Sequence, residues 1–379
     1  MTKAVIAGYV RTPFHFATKG EMKKLRADDM ATFAIRALVE RSNVNPEDIE
    51  DLMLGCAFPE GEQGLNMARL VVLNAGLPDS IAGVTMNRFC GSSMQAIHSA
   101  AGAIACGAGD VFICAGVESM SRVPMGGFNP MPNPNLYDRR PEAYIGMGDT
   151  AENLAVKYKI SRVDQEAFAL GSQKKAAAAQ ADGRLSDEIT PVKVRSDTVE
   201  QDGCIRPETT AEGLATLKPA FDEKGSVTAG TSSPLTDGAA ATLVCSEDYA
   251  KAHGLEILAY IKSFAVAGCD PAIMGIGPVE ATRKALKRAG LSIGDIDIIE
   301  LNEAFASQSL ACIHDLGLDE SKINLDGGAL ALGHPLGATG ARITGKVAAL
   351  LKRENKKYGL ATQCIGGGQG IATILERVA

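Results

Sequence analysis

Residues 37–58 read ALVERSNVNPEDIEDLMLGCAF, and residues 284–305 read KALKRAGLSIGDIDIIELNEAF. At an offset of 247 (284 − 37), Arg41 meets Arg288, Val44 meets Leu291 and Asp48 meets Asp295. Ile49 meets Ile296, Ala57 meets Ala304, and Phe58 meets Phe305. The Ala37-Leu38 pair fits one residue better at 248, which implies a small indel. Helix-strand units share composition and give scattered matches by chance. A run over 22 residues with matching breakpoints is read as a duplication. Two copies of one α/β unit imply pseudo-symmetric halves with a site between them.

Outward from the repeat, Lys3–Tyr9 is short and β-branched enough for a strand. Asp28 or Asp29 can cap a helix that carries Met30, Phe33, Ala34, Ala37 and Leu38 on one face. Asp48–Gly55 reads as the next strand, and the alternation indicates an α/β fold. Between the copies, Pro124, Pro130, Pro132, Pro134 and Pro141 interrupt a Met- and Gly-rich stretch that excludes a regular helix or central strand. Two helices are expected next. Ser161 with Asp164 forms a capping box, KKAAAA lies inside the second helix, and Gly183 stops it. Residues 118–232 thus read as an insertion across the first half, placed to cover a ligand.

A chain of 379 residues suits two or three domains. With 46% hydrophobic residues it folds as a globular protein. The 41 glycines exceed the usual share of ~7% and imply tight turns or close backbone approaches. The net charge of −7, without a basic tail, argues against nucleic-acid binding but leaves room for a local anion pocket. Nine cysteines, an odd number with no C-x-x-C pair, fit a reduced, cytoplasmic setting. The start MTKAVIAGYVR is too short an apolar run for a signal peptide, and no apolar stretch reaches the ~18 residues of a membrane span. The five histidines show no metal-binding spacing, so no metal is expected.

Four segments can carry chemistry. In GVTMNRFCGSSMQAIHSAAGAIACG, Gly83–Asn87 reads as a strand, and Met94, Ile97, Ala101 and Ile104 have helical spacing. Cys90 then opens a helix, where free N–H groups and the dipole favour a thiolate, and Gly91 lets a substrate approach the backbone. The plainer alternative is a buried, inert cysteine. His334 stands alone among the glycines of INLDGGALALGHPLGATGAR (323–342), as a proton acceptor for a thiol or as a mere turn residue. Cys364 ends a strand before a glycine run whose N–H groups can hold an oxyanion, or it is a core thiol. Asn302 and Glu303 close the repeated strand. Asn302 can donate to an oxyanion or orient water, and Glu303 can be a base or a strand-end charge.

Together NRFCGSSMQA, NEAFA, GHPLGATGAR and CIGGGQGIA resemble the signature regions of the thiolase family, in order and over essentially the whole chain. IRPETTAEGLATLKPAF and TAGTSSPLTDGAAA add to the resemblance. NRFCGSSMQA and IRPETT are more similar to degradative 3-ketoacyl-CoA thiolases than to short-chain acetoacetyl-CoA thiolases. The resemblance implies a five-layered αβαβα core of two duplicated halves with an inserted loop domain. Residues 1–117 plus 233–250 would form the N-terminal half, 118–232 the CoA-covering insertion, and 251–379 the C-terminal half. It also implies thiolytic cleavage of 3-ketoacyl-CoA in fatty acid β-oxidation. CoA would be the co-substrate, and no cofactor is needed.

By the same resemblance, Cys90 would be the acylated nucleophile, His334 its activator, and Cys364 the group that moves the α-proton of acetyl-CoA. Asn302 with a water and His334 would form one oxyanion hole, the N–H groups of Cys90 and Gly366 the other. Arg206 would lie near the CoA nucleotide, Phe221 and Ser233 along CoA, and Met147 in the acyl pocket. Glu303 would have a supporting role. Asp326 and Thr231 depart from the family's usual Asn at each position. The stretch 118–148 is shorter than in tetrameric members, which implies a homodimer; a hydratase/dehydrogenase α-subunit stays open as a further partner. A dehydrogenase reading of Gly146-x-Gly148-x-x-Ala151 lacks the preceding strand it needs. Two further alternatives are an acetoacetyl-CoA thiolase working in the biosynthetic direction and a non-catalytic acyl-CoA carrier. Retention of Cys90, His334 and Cys364 together argues against the carrier.

Overall fold

The computed structural model describes residues 2–378. Its strands, in chain order, are β1 (Ala4–Arg11), β2 (His15–Phe16), β3 (Asp51–Gly55), β4 (Ala82–Met86), β5 (Val111–Ser119), β6 (Val192–Val194) and β7 (Asp197–Val199). They continue with β8 (Thr236–Ser246), β9 (Ala259–Gly268), β10 (Ile298–Leu301), β11 (Tyr358–Ile365) and β12 (Gln369–Arg377). The main sheet runs β10-β11-β12-β9-β1-β8-β5-β3-β4, while β6 and β7 form a separate hairpin. Each half contributes one side of this order. They meet at β1 and β9, which share only the pairs Val5–Tyr260 and Ile6–Ala259.

The duplication is visible at the level of single residues. The helices Ala27–Ser42 and Gly277–Ala289 end 247 positions apart, each capped by a left-handed residue, Asn43 and Gly290. The short 3₁₀ turns Pro46–Asp48 and Ile293–Asp295 follow at the same offset, and so do the starts of β3 and β10. Parallel pairing continues the match. Asp51 lies opposite Phe112, and Ile298 lies opposite Gly359.

Five layers result. The helix Ala27–Ser42 packs on one face of β1, β5 and β8, and Gly277–Ala289 packs on β9, β11 and β12. Between the two half-sheets lie the helices Ser92–Ala105 and Leu336–Arg353, which pack on each other. All residues of β5 and β8 are buried, as expected of strands covered by helices on both faces. The central helices approach closely: a Cβ on Gly340 would lie 2.3 Å from the backbone nitrogen of Met94. The Ser93 hydroxyl accepts the N–H of Ala341 at 2.8 Å across this contact. Part of the glycine surplus therefore serves helix–helix contact at the centre of the molecule.

Between β5 and β8 the chain forms the helices Met147–Tyr158 and Arg162–Ala181, the β6–β7 hairpin and shorter turns. The Ser161–Asp164 capping box is present, and Gly183 takes a positive φ just past the helix. The proline-rich stretch does contain one short helix, Pro134–Arg139. It is tolerated because Pro134 sits in its first turn, where no N–H is needed, behind the Asn133 cap. The expected cap at Asp28 or Asp29 is also corrected. The helix begins at Ala27, and the Asp28 carboxylate accepts two bonds from Arg26 instead. Among the described residues no helix is long and apolar enough to cross a membrane.

Candidate active site

Cys90 lies in the turn between β4 and the helix Ser92–Ala105. Side chains shape the turn: Asn87 Oδ1 accepts the Phe89 N–H at 2.7 Å, and Ser92 Oγ accepts the Arg88 N–H at 2.9 Å while donating to the Phe89 carbonyl at 2.6 Å. Phe89 is held at φ 43°, in the left-handed region. For a bulky residue that conformation costs about 1–3 kcal/mol and persists only where neighbours enforce it. Gly91 serves packing rather than substrate access, since a Cβ there would fall 2.5 Å from Ile365 Cδ1.

The backbone N–H groups of Gly366 and of Cys90 itself act on the Cys90 thiol. These favour a thiolate, yet burial outweighs them and the thiol is pushed up to about 11. The helix-terminus expectation of a ready thiolate is thus corrected, because the desolvation cost of an anion exceeds what two N–H dipoles return.

His334 lies between the short helix Ala329–Leu332 and the helix Leu336–Arg353. Its backbone N–H donates to Thr236 Oγ1 at 3.0 Å. Nδ1 lies 2.6 Å from Thr339 Oγ1, and Nε2 lies 3.4 Å from Asn302 Nδ2. Burial, then Arg342, pushes the imidazole down to about 3, so the ring is neutral. Asn302 is fixed by its N–H to the Thr362 carbonyl at 3.0 Å, and its Oδ1 is buried without a partner.

Cys364 is buried near the end of β11, and burial followed by the nearby Cys90 pushes its thiol well above the ordinary range. The Gln363 side-chain amide donates to the Cys90 carbonyl, locking the two thiol-bearing segments together. Cys364 packs with Met147, Ala151, Met274, Ala304 and Phe305. Cys90 packs with Ala57, Met120 and Leu336, the last being two residues after His334. The two thiols are thus brought near each other, His334 and Asn302 form a second pair, and Leu336, two residues after His334, packs on Cys90.

The Thiolase, N-terminal domain family model matches residues 4–248, and the Thiolase, C-terminal domain model matches residues 255–377. The chain belongs to the thiolase family. A 3-ketoacyl-CoA thiolase of Bacillus subtilis (strain 168) is 47% identical over 389 residues, covering 99% of this chain and 100% of the relative. One from Shewanella frigidimarina is 51% identical over 388 residues, with 100% of each covered. The crystal structure of human mitochondrial 3-ketoacyl-CoA thiolase superposes with a TM-score of 0.93 at 41% identity, covering 100% of this chain and 99% of that one. The same human protein in complex with CoA gives 0.92. This thiolase-family chain thus has the family's layered fold and is an acyltransferase.

Met147, Phe221 and Ser233 border the residues described above, whereas Arg206 lies by Phe16 and Gln173. Met147 opens the helix Met147–Tyr158, with its sulfur 3.6 Å from where a Gly366 Cβ would stand. Phe221 is exposed, makes an edge-on contact with Phe305 at 5.9 Å between centroids, and covers Gly148. The Ser233 N–H donates to the Ala304 carbonyl at 3.0 Å, beside Asn302 and Glu303. Arg206 is half-buried, with its guanidinium over the Phe16 ring at 5.8 Å.

Glu303 is tied down rather than free to act as a base. Its carboxylate accepts from Ser172 Oγ at 2.6 Å, Asn324 Nδ2 at 2.7 Å and the Leu330 N–H at 3.2 Å, pinning the insertion's long helix to the second half. Thr231 caps the Thr228 N–H at 2.9 Å. Asp326 accepts from Arg184, Arg353 at 2.6 Å and Lys346 at 2.8 Å. Sequence reading missed Glu118, Thr236, Thr339 and Gln363. Thr236 and Thr339 offered a signal, lying inside the TAGTSSPLTDGAAA and GHPLGATGAR motifs.

Proposed function

We propose that the chain cleaves 3-ketoacyl-CoA with CoA, giving acetyl-CoA and a shortened acyl-CoA through an acyl-Cys90 intermediate. The observation that carries this reading is the Cys90 thiol at the turn into the helix Ser92–Ala105, tied through Gln363 to the strand that carries a second thiol, Cys364. The relatives' names give the substrate class.

The residue roles follow from the chemistry of C–C cleavage. The Cys90 sulfur bonds to the ketone carbon as its proton passes to His334 Nε2. The bond between the α- and β-carbons breaks, its electron pair stays on the α-carbon, and the Cys364 S–H protonates that carbon to release acetyl-CoA. The proton held by the imidazolium then replaces the one Cys364 has given up. In the second half the CoA thiol passes its proton to His334, attacks the acyl thioester and displaces Cys90, which takes the proton back. Negative charge develops on two oxygens in turn. The N–H pair of Cys90 and Gly366 suits the thioester oxygen, and Asn302, a water and His334 suit the other. A neutral imidazole and two protonated thiols are the required starting state, and burial favours that state.

The segment 118–232 would cover CoA, with Arg206 at the nucleotide, Phe221 and Ser233 along the chain, and Met147 against the acyl group. Arg206 offers a planar cation for phosphate. The nine free thiols support a reducing, cytoplasmic setting. A homodimer is inferred from β4, the last strand in the sheet order. Val84 on this edge is 39% exposed, and Leu65, Leu70 and Leu73 beside it are more exposed still. Such an edge invites a second copy. Val84→Lys should halve the sedimenting mass; a wild-type chain that sediments as a monomer rules the dimer out.

The function is tested by incubation with an acyl-CoA. One acyl group per chain should appear on Cys90 by peptide mass. Full labelling of the Cys90→Ala variant would overturn the reading.

A further inference from the structure

We propose that Thr339 is a positioning residue. Its hydroxyl accepts the Nδ1–H of His334, which leaves Nε2 bare to take a proton and supports the imidazolium once it forms. This rests on the acyl-cysteine reading above. Thr339 lies in the first turn of the helix Leu336–Arg353, with Oγ1 2.6 Å from His334 Nδ1 and 3.0 Å from the Pro335 carbonyl oxygen.

A hydroxyl has one proton and two lone pairs, whereas a carbonyl can only accept. With its proton on the Pro335 oxygen, Thr339 offers a lone pair to the ring, and both contacts are satisfied when Nδ1 carries hydrogen. Nε2 is then unprotonated, and the Asn302 amide nitrogen facing it at 3.4 Å can donate to it.

The intermediate makes a stronger demand. When Nε2 has taken the Cys90 proton, both ring nitrogens carry hydrogen, and a buried cation needs an acceptor at each. The Thr339 hydroxyl is the partner within hydrogen-bond distance of Nδ1. The Pro335 carbonyl holds that hydroxyl in the accepting orientation. The backbone bond from His334 to Thr236 Oγ1 fixes the ring's base, so Thr339 has one further degree of freedom to control, the rotation and tautomer of the ring.

The opposite network is also written in hydrogen bonds: Thr339 donates to Nδ1, and Nε2–H points at a flipped Asn302 amide. In that arrangement Nε2 cannot accept a proton, so the two tautomers separate the alternatives directly.

The test uses the whole protein with ¹⁵N-labelled histidine. There are five histidines, and His334 is assigned as the signal missing from His334→Ala. Wild type should show a protonated Nδ1 and a bare Nε2; an Nε2–H tautomer overturns the proposal. Thr339→Val should slow acylation of Cys90 by about 10–100-fold, less than the ~10⁴ seen when a carboxylate partner of a catalytic histidine is replaced. Thr339→Ser should restore it to within about threefold, and Thr339→Val should add no further loss in the His334→Ala background. A Val variant that acylates as fast as wild type, or a fully additive loss, also overturns it. If the Val variant does not fold, the tautomer of wild type and of Thr339→Ser decides. Should His334→Ala itself acylate normally, the failure belongs to the acyl-cysteine scheme, not to Thr339.

Discussion

The Glu118 carboxylate accepts the backbone N–H of Gly337 at 2.9 Å, joining the end of β5 in the first half to the first turn of the helix that follows His334 in the second. The same oxygen takes the Ala57 N–H at 2.8 Å. The other takes the Gln63 side-chain amide at 2.8 Å and the Phe58 N–H at 3.2 Å. Burial pushes this carboxyl up, while its four N–H donors pull it back. Glu118 therefore works as a clamp across the pseudo-symmetric seam, beside the loop that carries Cys90.

Glu118→Gln keeps the size but turns an amide NH₂ toward N–H donors. It should cost about 1–3 kcal/mol in urea unfolding, the usual penalty for a buried group left unpaired. Acylation should slow by roughly tenfold or more, because small displacements at a reacting centre are expensive. An acylation rate equal to wild type would mean that Cys90 and His334 are aligned without the clamp.

The repeat at 37–58 and 284–305 was legible because local helix, turn and strand signals recur at one offset, and the strand pairing preserves it. Cys90, His334 and Cys364 stand out in the sequence as candidates, at glycine-rich breaks in periodic segments. Glu118 was not, because its partners lie up to 219 residues away and nothing local marks them. The Cys90 thiol illustrates a second limit. A helix terminus is visible in sequence, but the depth of burial that overrides it is a tertiary property.

That limit has a pH consequence. With Cys90 pushed up to about 11, its alkylation by iodoacetamide should keep rising with pH beyond 9. A plateau reached near neutral pH would indicate a preformed thiolate. With His334 pushed down to about 3, the ring stays unprotonated as pH falls through the ordinary imidazole range of ~6.5. Acylation should then show no acid limb near that value while the fold persists.

Asp326 is a departure that the structure accommodates with charge. Its side chain is fully buried and meets Arg184, Lys346 and Arg353, which hold it below the ordinary carboxylate range despite desolvation. Replacing it with the family's more usual Asn would strand part of that positive charge. Asp326→Asn should lower stability by about 3 kcal/mol, in the range found on removing one partner of a buried ion pair. A loss under ~0.5 kcal/mol would show that Glu188, Asp182 and Glu354, which also bind these cations, suffice.

The two thiols should be separable by experiment. The backbone N–H groups of Gly366 and of Cys90 itself act to lower the Cys90 thiol, whereas Cys364 is raised further by the presence of Cys90. A buried thiol that stays protonated has a proton available for a carbanion, whose basicity far exceeds that of a thiolate. Cys364→Ala should still accept an acyl group on Cys90, at a rate within about tenfold of wild type. It should fail in both C–C cleavage and condensation. Exchange of solvent deuterium into the acetyl methyl group of acetyl-CoA isolates the step, since it needs the α-proton to move and no bond between carbons to form. Wild type should exchange and Cys364→Ala should not. Normal exchange in the variant would assign the proton transfer to another group. Glu303 is a poor substitute, because Ser172, Asn324 and Leu330 already occupy its carboxylate. Loss of acylation together with exchange would instead place Cys364 before the attack, and an unchanged thermal midpoint would separate that outcome from collapse of the glycine turn that follows it.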